Sequence, residues 1–173
     1  MLVDSPRFAA RLVRILEELG GVRWMFLSHV DDIADHARFR CHFGCDRIIH
    51  SREVSSATAG IECKLEGDEA ISLASDLVAI PTPGHTRGHT VLLYRDTFLF
   101  TGDHLWWSPG RQQLGASRAN CWYSWREQIE SMERLLSYQF EWVLPGHGRR
   151  HHASASQMHA LLAQCARWMR AAA

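Results

Sequence analysis

The chain has 173 residues, 46% of them hydrophobic, which suits a single domain over 1–173 able to bury most of its apolar surface. Nineteen basic residues balance nineteen acidic ones, so no general electrostatic pull on nucleic acid or an anionic membrane is expected. No apolar run approaches the ~20 residues of a membrane span and no charged-then-apolar leader opens the chain, so a cytoplasmic location is expected.

Leu2-Val3 reads as the tail of a strand. Ser5 and Pro6 then have the composition of a helix start, and Phe8, Leu12, Ile15, Leu16 and Leu19 recur at helical spacing until Gly20-Gly21. Val22 to Leu27 is a nearly continuous apolar run, as in a strand covered on both faces. A short helix through Phe39 and Phe43 should stop at Gly44, and Arg47 to His50 should form the next strand. From Ser55 to Ala79 the pattern is weak, with a turn at Glu66-Gly67-Asp68 and a strand over Leu77 to Ile80. Val91 to Tyr94 and Phe98 to Thr101 form a hairpin across Arg95-Asp96, without the usual Asn-Gly signal. Leu105 to Trp122 reads as irregular. Two capping-box spacings, Ser124 to Glu127 and Ser154 to Gln157, open helices carrying Ile129, Met132, Leu135 and Leu136, and then Met158, Leu161, Leu162, Cys165 and Met169. Between them Phe140 to Leu144 is a strand. Strands alternating with helices mean an α/β fold.

Eleven histidines are a surplus for this length. Ser28-His29-Val30-Asp31-Asp32-Ile33-Ala34-Asp35-His36 packs two of them with three carboxylates directly after an apolar run. Pro83-Gly84-His85-Thr86, Thr101-Gly102-Asp103-His104 and Pro145-Gly146-His147-Gly148 each place a His or Asp at a glycine-marked turn near a strand end. Imidazole and carboxylate gathered from four such places are what a divalent-metal site needs.

The order HxD-x3-DH, PGHT-x2-H, TGD, PGHG resembles the metallo-β-lactamase-fold hydrolases, the superfamily of glyoxalase II, from about Leu2 to Met169. The resemblance implies an αββα sandwich, two mixed sheets between outer helices, here without one or two strands that usually precede the Leu2 segment. It implies two divalent metal ions, zinc foremost. His29 and His85 match ligands of the first metal, Asp35, His36 and His147 those of the second, and Asp103 the carboxylate bridging both. The family's first motif is usually HxHxDH; this chain has Asp31 at the second histidine and two extra residues before Asp35-His36. Asp31 is therefore the third ligand expected at the first metal, with Asp32 as its substitute, and the harder donor makes iron or manganese possible beside zinc. The implied chemistry is a metal-bound hydroxide attacking a small ester or thioester, with Asp35 orienting or deprotonating the nucleophile.

Each residue also has a plainer reading. His89 fits a structural hydrogen bond steadying the His85 turn, and His50 and His104 are either packed or outer supports of the site. His42, His151, His152 and His159 read as surface residues, although Arg149-Arg150 beside the pair could hold an anionic group. Five scattered cysteines argue against a disulfide framework, and Cys41 and Cys45 read as packing or idle thiols. Trp106 and Trp107, in a stretch that also holds Trp122, Tyr123 and Trp125, are the expected substrate wall; core closure is the other reading. A small-molecule substrate is expected. Phosphodiester cleavage in nucleic acid is disfavoured by the balanced charge. One iron used for redox chemistry, or a non-catalytic binding role, stands as the alternative from another class.

Overall fold

Short apolar runs between polar turns build the first sheet. Its four strands lie parallel and in chain order: β1 (Leu2–Val3), β2 (Trp24–Phe26), β3 (Asp46–His50) and β4 (Cys63–Leu65). In this computed structural model, which describes residues 1–172, that sheet lies in the first of two compact units, Met1–Glu66; the second starts at Gly67. Met25, Phe26, Ile48 and Ile49 are buried, as strands covered on both faces require. Helices α1 (Ala10–Glu18) and α2 (His36–Phe43) contribute Leu12, Leu16, Phe39 and Phe43 to a cluster with Val22, Met25, Leu27 and Ile49. Gly44 ends α2 at a φ of 67°, a left-handed position where a Cβ would be strained.

The helix expected at Ser5-Pro6 begins only at Ala10. The Ser5 N–H donates to the Asp32 carbonyl at 2.9 Å and Ser5 is buried. That tertiary hydrogen bond ties Ser5 to the loop after β2, and the helix starts five residues later, after Ala9. The inward face of α1 shifts accordingly: Val13 is buried, whereas Ile15 and Leu19 are exposed.

In the second unit, β5 (Ile71–Ala74), β6 (Leu77–Pro81), β7 (Thr90–Tyr94) and β8 (Phe98–Gly102) form an antiparallel meander. The stretch read as irregular holds a small hairpin, β9 (Trp106–Ser108) with β10 (Gln113–Gly115). Its strands are three residues each, too short to show an alternation. β11 (Trp142–Pro145) adds to β8 in parallel and β12 (His151–His152) pairs antiparallel with β11, giving the order β12-β11-β8-β7-β6-β5. Arg95 and Asp96 at the β7–β8 turn have φ of 55° and 46° without any glycine. Arg95 is held there by Asp76, whose carboxylate it meets at 3.1 Å, and by the Tyr94 ring, which its guanidinium covers at 4.9 Å. Helices α3 (Trp125–Arg134) and α4 (Ala155–Ala171) start at Ser124 and Ser154, the latter with a complete capping box. They bury Ile129, Met132, Met158, Leu162, Cys165 and Met169 in one cluster with Ile80, Val91, Leu99 and Val143 of the sheet. No helix among the described residues is long and apolar enough to cross a membrane.

Strand direction decides where chemistry can collect. All four strands of the first sheet point one way, so the loops after β1, β2 and β3 leave from one edge. In the second unit β6, β8 and β11 run in one direction, so the residues after them, His85, Asp103 and His147, share an edge.

Candidate metal centre

In the first unit the loop after β2 carries His29, fully buried. Ser28 Oγ and His29 Nδ1 lie 2.9 Å apart, a hydrogen bond that turns Nε2 toward Asp31, whose Oδ2 is 3.7 Å away. Two ligands of one tetrahedral ion, each ~2.1 Å from it, stand ~3.4 Å apart. The His29–Asp31 spacing is too long for a hydrogen bond and close to that value. A carboxylate oxygen of Asp32 also comes within 4.8 Å of a His29 ring nitrogen. The loop is tied down by two carboxylates that no motif singles out. Asp4, left-handed at φ 57°, accepts from the Ser28 N–H at 2.8 Å, and Glu53 accepts from the Val30 N–H at 2.8 Å.

Asp35 and His36 each have a partner within the first unit. Asp35 precedes α2 and its Oδ2 accepts from the Phe8 N–H at 2.7 Å, with Arg38 3.7 Å away. His36 is buried on α2, and its Nδ1 faces the Arg47 guanidinium at 2.8 Å. Burial and then the Arg47 charge push the His36 pKa down, opposed by a hydrogen bond to the Ala57 backbone. Both residues were expected as ligands of a second metal; in the fold Asp35 holds the chain before α1, and His36 bridges α2 to β3 and the loop after it.

In the second unit β8 and β11 are parallel neighbours paired at Gly102 and Pro145, so the next residues emerge side by side. His147 Nδ1 and Asp103 Oδ1 are 2.8 Å apart, and His85 Nε2 lies 3.9 Å from Asp103 Oδ2. The first is a hydrogen bond; the second again has the separation of two donors that can share an ion. His147 is largely exposed, while His85 is buried. Gly84 holds the His85 turn against α3: its φ is +149°, and a Cβ there would meet Gln128 backbone and Cβ atoms at 2.3–2.6 Å. Ser131 Oγ donates to the Pro83 carbonyl at 2.7 Å and Gln128 Nε2 to the His104 carbonyl at 3.2 Å, so one helix braces both turns. Thr82 Oγ1 lies 3.0 Å from His89 Nδ1, and the Thr82 N–H donates to the His89 carbonyl at 2.7 Å, closing the loop that carries His85. His104 is fully buried, stacked on His89 with centroids 5.4 Å apart; burial and the nearby His85 push its pKa down to about 3, which keeps the ring neutral.

No protein-family model matches the chain. A hydroxyacylglutathione hydrolase from Acidiphilium cryptum is 31% identical over 105 residues, covering 58% of this chain and 43% of that enzyme. The chain thus spans less than half the length of this curated relative. Among solved structures, ETHE1 from Myxococcus xanthus superposes with a TM-score of 0.70 at 21% identity, covering 95% of this chain and 72% of that one. The metallo-β-lactamase FIM-1 from Pseudomonas aeruginosa, solved in a mono-zinc form, superposes with a TM-score of 0.67 at 18% identity, covering 96% and 77%. The chain has the metallo-β-lactamase fold. In that fold the aromatic stretch after Asp103 divides its work. Trp107 stacks on His151 with centroids 3.6 Å apart, and Trp106 packs on Gly148, where a Cβ would lie 2.9 Å from its side chain. A further indole, that of Trp122, is exposed and lies 5.5 Å from the His85 ring. The Trp122 and Tyr123 N–H groups both donate to the His85 carbonyl. Composition marked the whole stretch as unusual; the fold adds Trp122 to Trp106 and Trp107 as aromatic residues near candidate ligands or their turns.

Proposed function

We propose that the chain is a metal-dependent hydrolase of small esters or thioesters, glyoxalase II-like in its chemistry. The observation that carries this is His29: buried, with Nδ1 on Ser28 and Nε2 at ligand spacing from the Asp31 carboxylate. The likeness to a hydroxyacylglutathione hydrolase supports the substrate class. In this reading the first unit offers His29 and Asp31, and the second unit His85, Asp103 and His147, as donors for a divalent metal ion, as the motifs imply. Such an ion, when bound, supplies Lewis acidity toward the substrate carbonyl and lowers the pKa of a coordinated water toward ~7.

The protein's own groups prepare that centre. Ser28, Asp4 and Glu53 hold the His29 loop, and Thr82, Gly84 and Ser131 hold the His85 turn, so the donors are oriented before any ion arrives. The exposed face of Trp122 offers an apolar wall for an acyl group next to His85. With Asp31 and Asp32 both near His29, the donor set is oxygen-rich, which keeps iron or manganese beside zinc as the native metal. A cytoplasmic setting goes with this reading, because there the five free cysteines stay reduced. The balanced charge favours a small molecule over a nucleic acid as substrate.

The test is Asp103→Ala, with metal content, circular dichroism and turnover on a panel of thioesters, esters and phosphodiesters. Loss of metal and of thioester or ester turnover with helices intact is the expected result. Full metal content and turnover in that variant would falsify the metal-centre reading.

A further inference from the structure

We infer that His36 is withheld from metal ligation by Arg47, so that this chain carries one metal ion rather than two. Arg47 lies on β3 and is buried. Its Nε and Nη2 reach Glu62 Oε2 and Oε1 at 3.0 and 2.8 Å, its N–H donates to Glu62 Oε2 at 2.9 Å, and Nη2 also donates to the Gly60 carbonyl at 2.7 Å. Nη1 is left for His36 Nδ1, at 2.8 Å. A guanidinium has donors only, so Nδ1 must be the accepting nitrogen and the ring proton must sit on Nε2.

Metal ligation through Nε2 requires the opposite tautomer, with the proton on Nδ1 and an acceptor beside it. Here that proton would face an arginine N–H at hydrogen-bond distance. Turning the ring away would leave one arm of a buried guanidinium without its partner, and burying a cation in that state is strongly unfavourable. Glu62 fixes Arg47 so firmly, with Arg40 Nε as a further donor at 3.1 Å, that the guanidinium cannot swing aside to release the ring. Asp35, the other donor of the would-be second site, has its Oδ2 engaged by the Phe8 N–H. The ring bridges α2 to the strand and loop behind it, which leaves a single ion for the proposed metal centre.

The ion count rests on the proposed metal centre, whereas the state of His36 does not, and two measurements separate them. Long-range proton–nitrogen NMR correlations on the whole 15N-labelled chain report the His36 tautomer. The expected result is an Nε2-protonated ring with a bare Nδ1, unchanged on saturation with Zn2+. A proton on Nδ1, or a metal-induced shift of Nε2, overturns the inference. Zinc titration of the metal-free chain should reach one equivalent, with the same stoichiometry and an affinity within about threefold in His36→Gln, whose folding is checked by its thermal transition. Two equivalents falling to one in the variant, or a tenfold loss of affinity, overturns it as well. Failure of either protein to bind zinc overturns the metal-centre reading and the ion count with it, and the tautomer then decides the arginine contact alone.

Discussion

Replacing Glu62 with glutamine tests the network behind His36. The side chain is 28% exposed, and its hydrogen bond from Arg47 holds the carboxyl at about 2, against a usual 4.5. At about 1.4 kcal/mol per tenfold change in proton affinity, that difference corresponds to about 3 kcal/mol, reduced to roughly 2 by partial solvent access. The sign follows from linkage. A carboxyl held below its unfolded value stabilises the fold above pH ~4.5, and the contribution disappears as pH falls through about 2. Glu62→Gln keeps the volume and one acceptor, so the loss is mainly that of the charge. Urea unfolding followed by circular dichroism should show the variant about 2 kcal/mol less stable at pH 7. The gap should narrow steadily below pH 4.5 and nearly vanish near pH 2. A gap under about 0.5 kcal/mol at pH 7, or one that ignores acid, would mean that the Arg47–Glu62 pair is a solvated surface contact.

Ser28→Ala should leave the fold intact while weakening metal binding roughly 10- to 100-fold in a chelator competition, because the His29 ring loses its orienting bond. Gly84→Ala should lower stability by about 3 kcal/mol or more in thermal or urea unfolding, since the added Cβ meets backbone of α3 that cannot retreat. Cys165, buried and with its thiol pushed up to about 12 by burial, should resist alkylation at pH 8 in the native protein and react only on unfolding, whereas exposed Cys41 should react at once; mass spectrometry of the labelled sites decides.

Several elements were legible because their signals are local. Gly44 ends α2 and Ser124 and Ser154 open α3 and α4 where capping chemistry places them, for a cap needs only residues within one helical turn. The motifs at His29, His85, Asp103 and His147 announced a metal chemistry because each couples a donor to a turn after a strand. Other features depend on which distant groups meet. Ser5 is tied through its N–H to a carbonyl 27 residues away rather than opening α1, and β9 and β10 were too short to show a period.

By itself the sequence determined the α/β class, most strand and helix positions and the kind of donor available to a metal, since propensity, capping and donor chemistry belong to individual residues and their near neighbours. Only the tertiary structure decided how those donors are used. Parallel β8 and β11 set Asp103 beside His147. Arg47, eleven residues from His36, was set against its ring, with Nη1 2.8 Å from Nδ1. A side chain's hydrogen-bond partner is fixed by packing across the sheet, and no spacing along the chain encodes it.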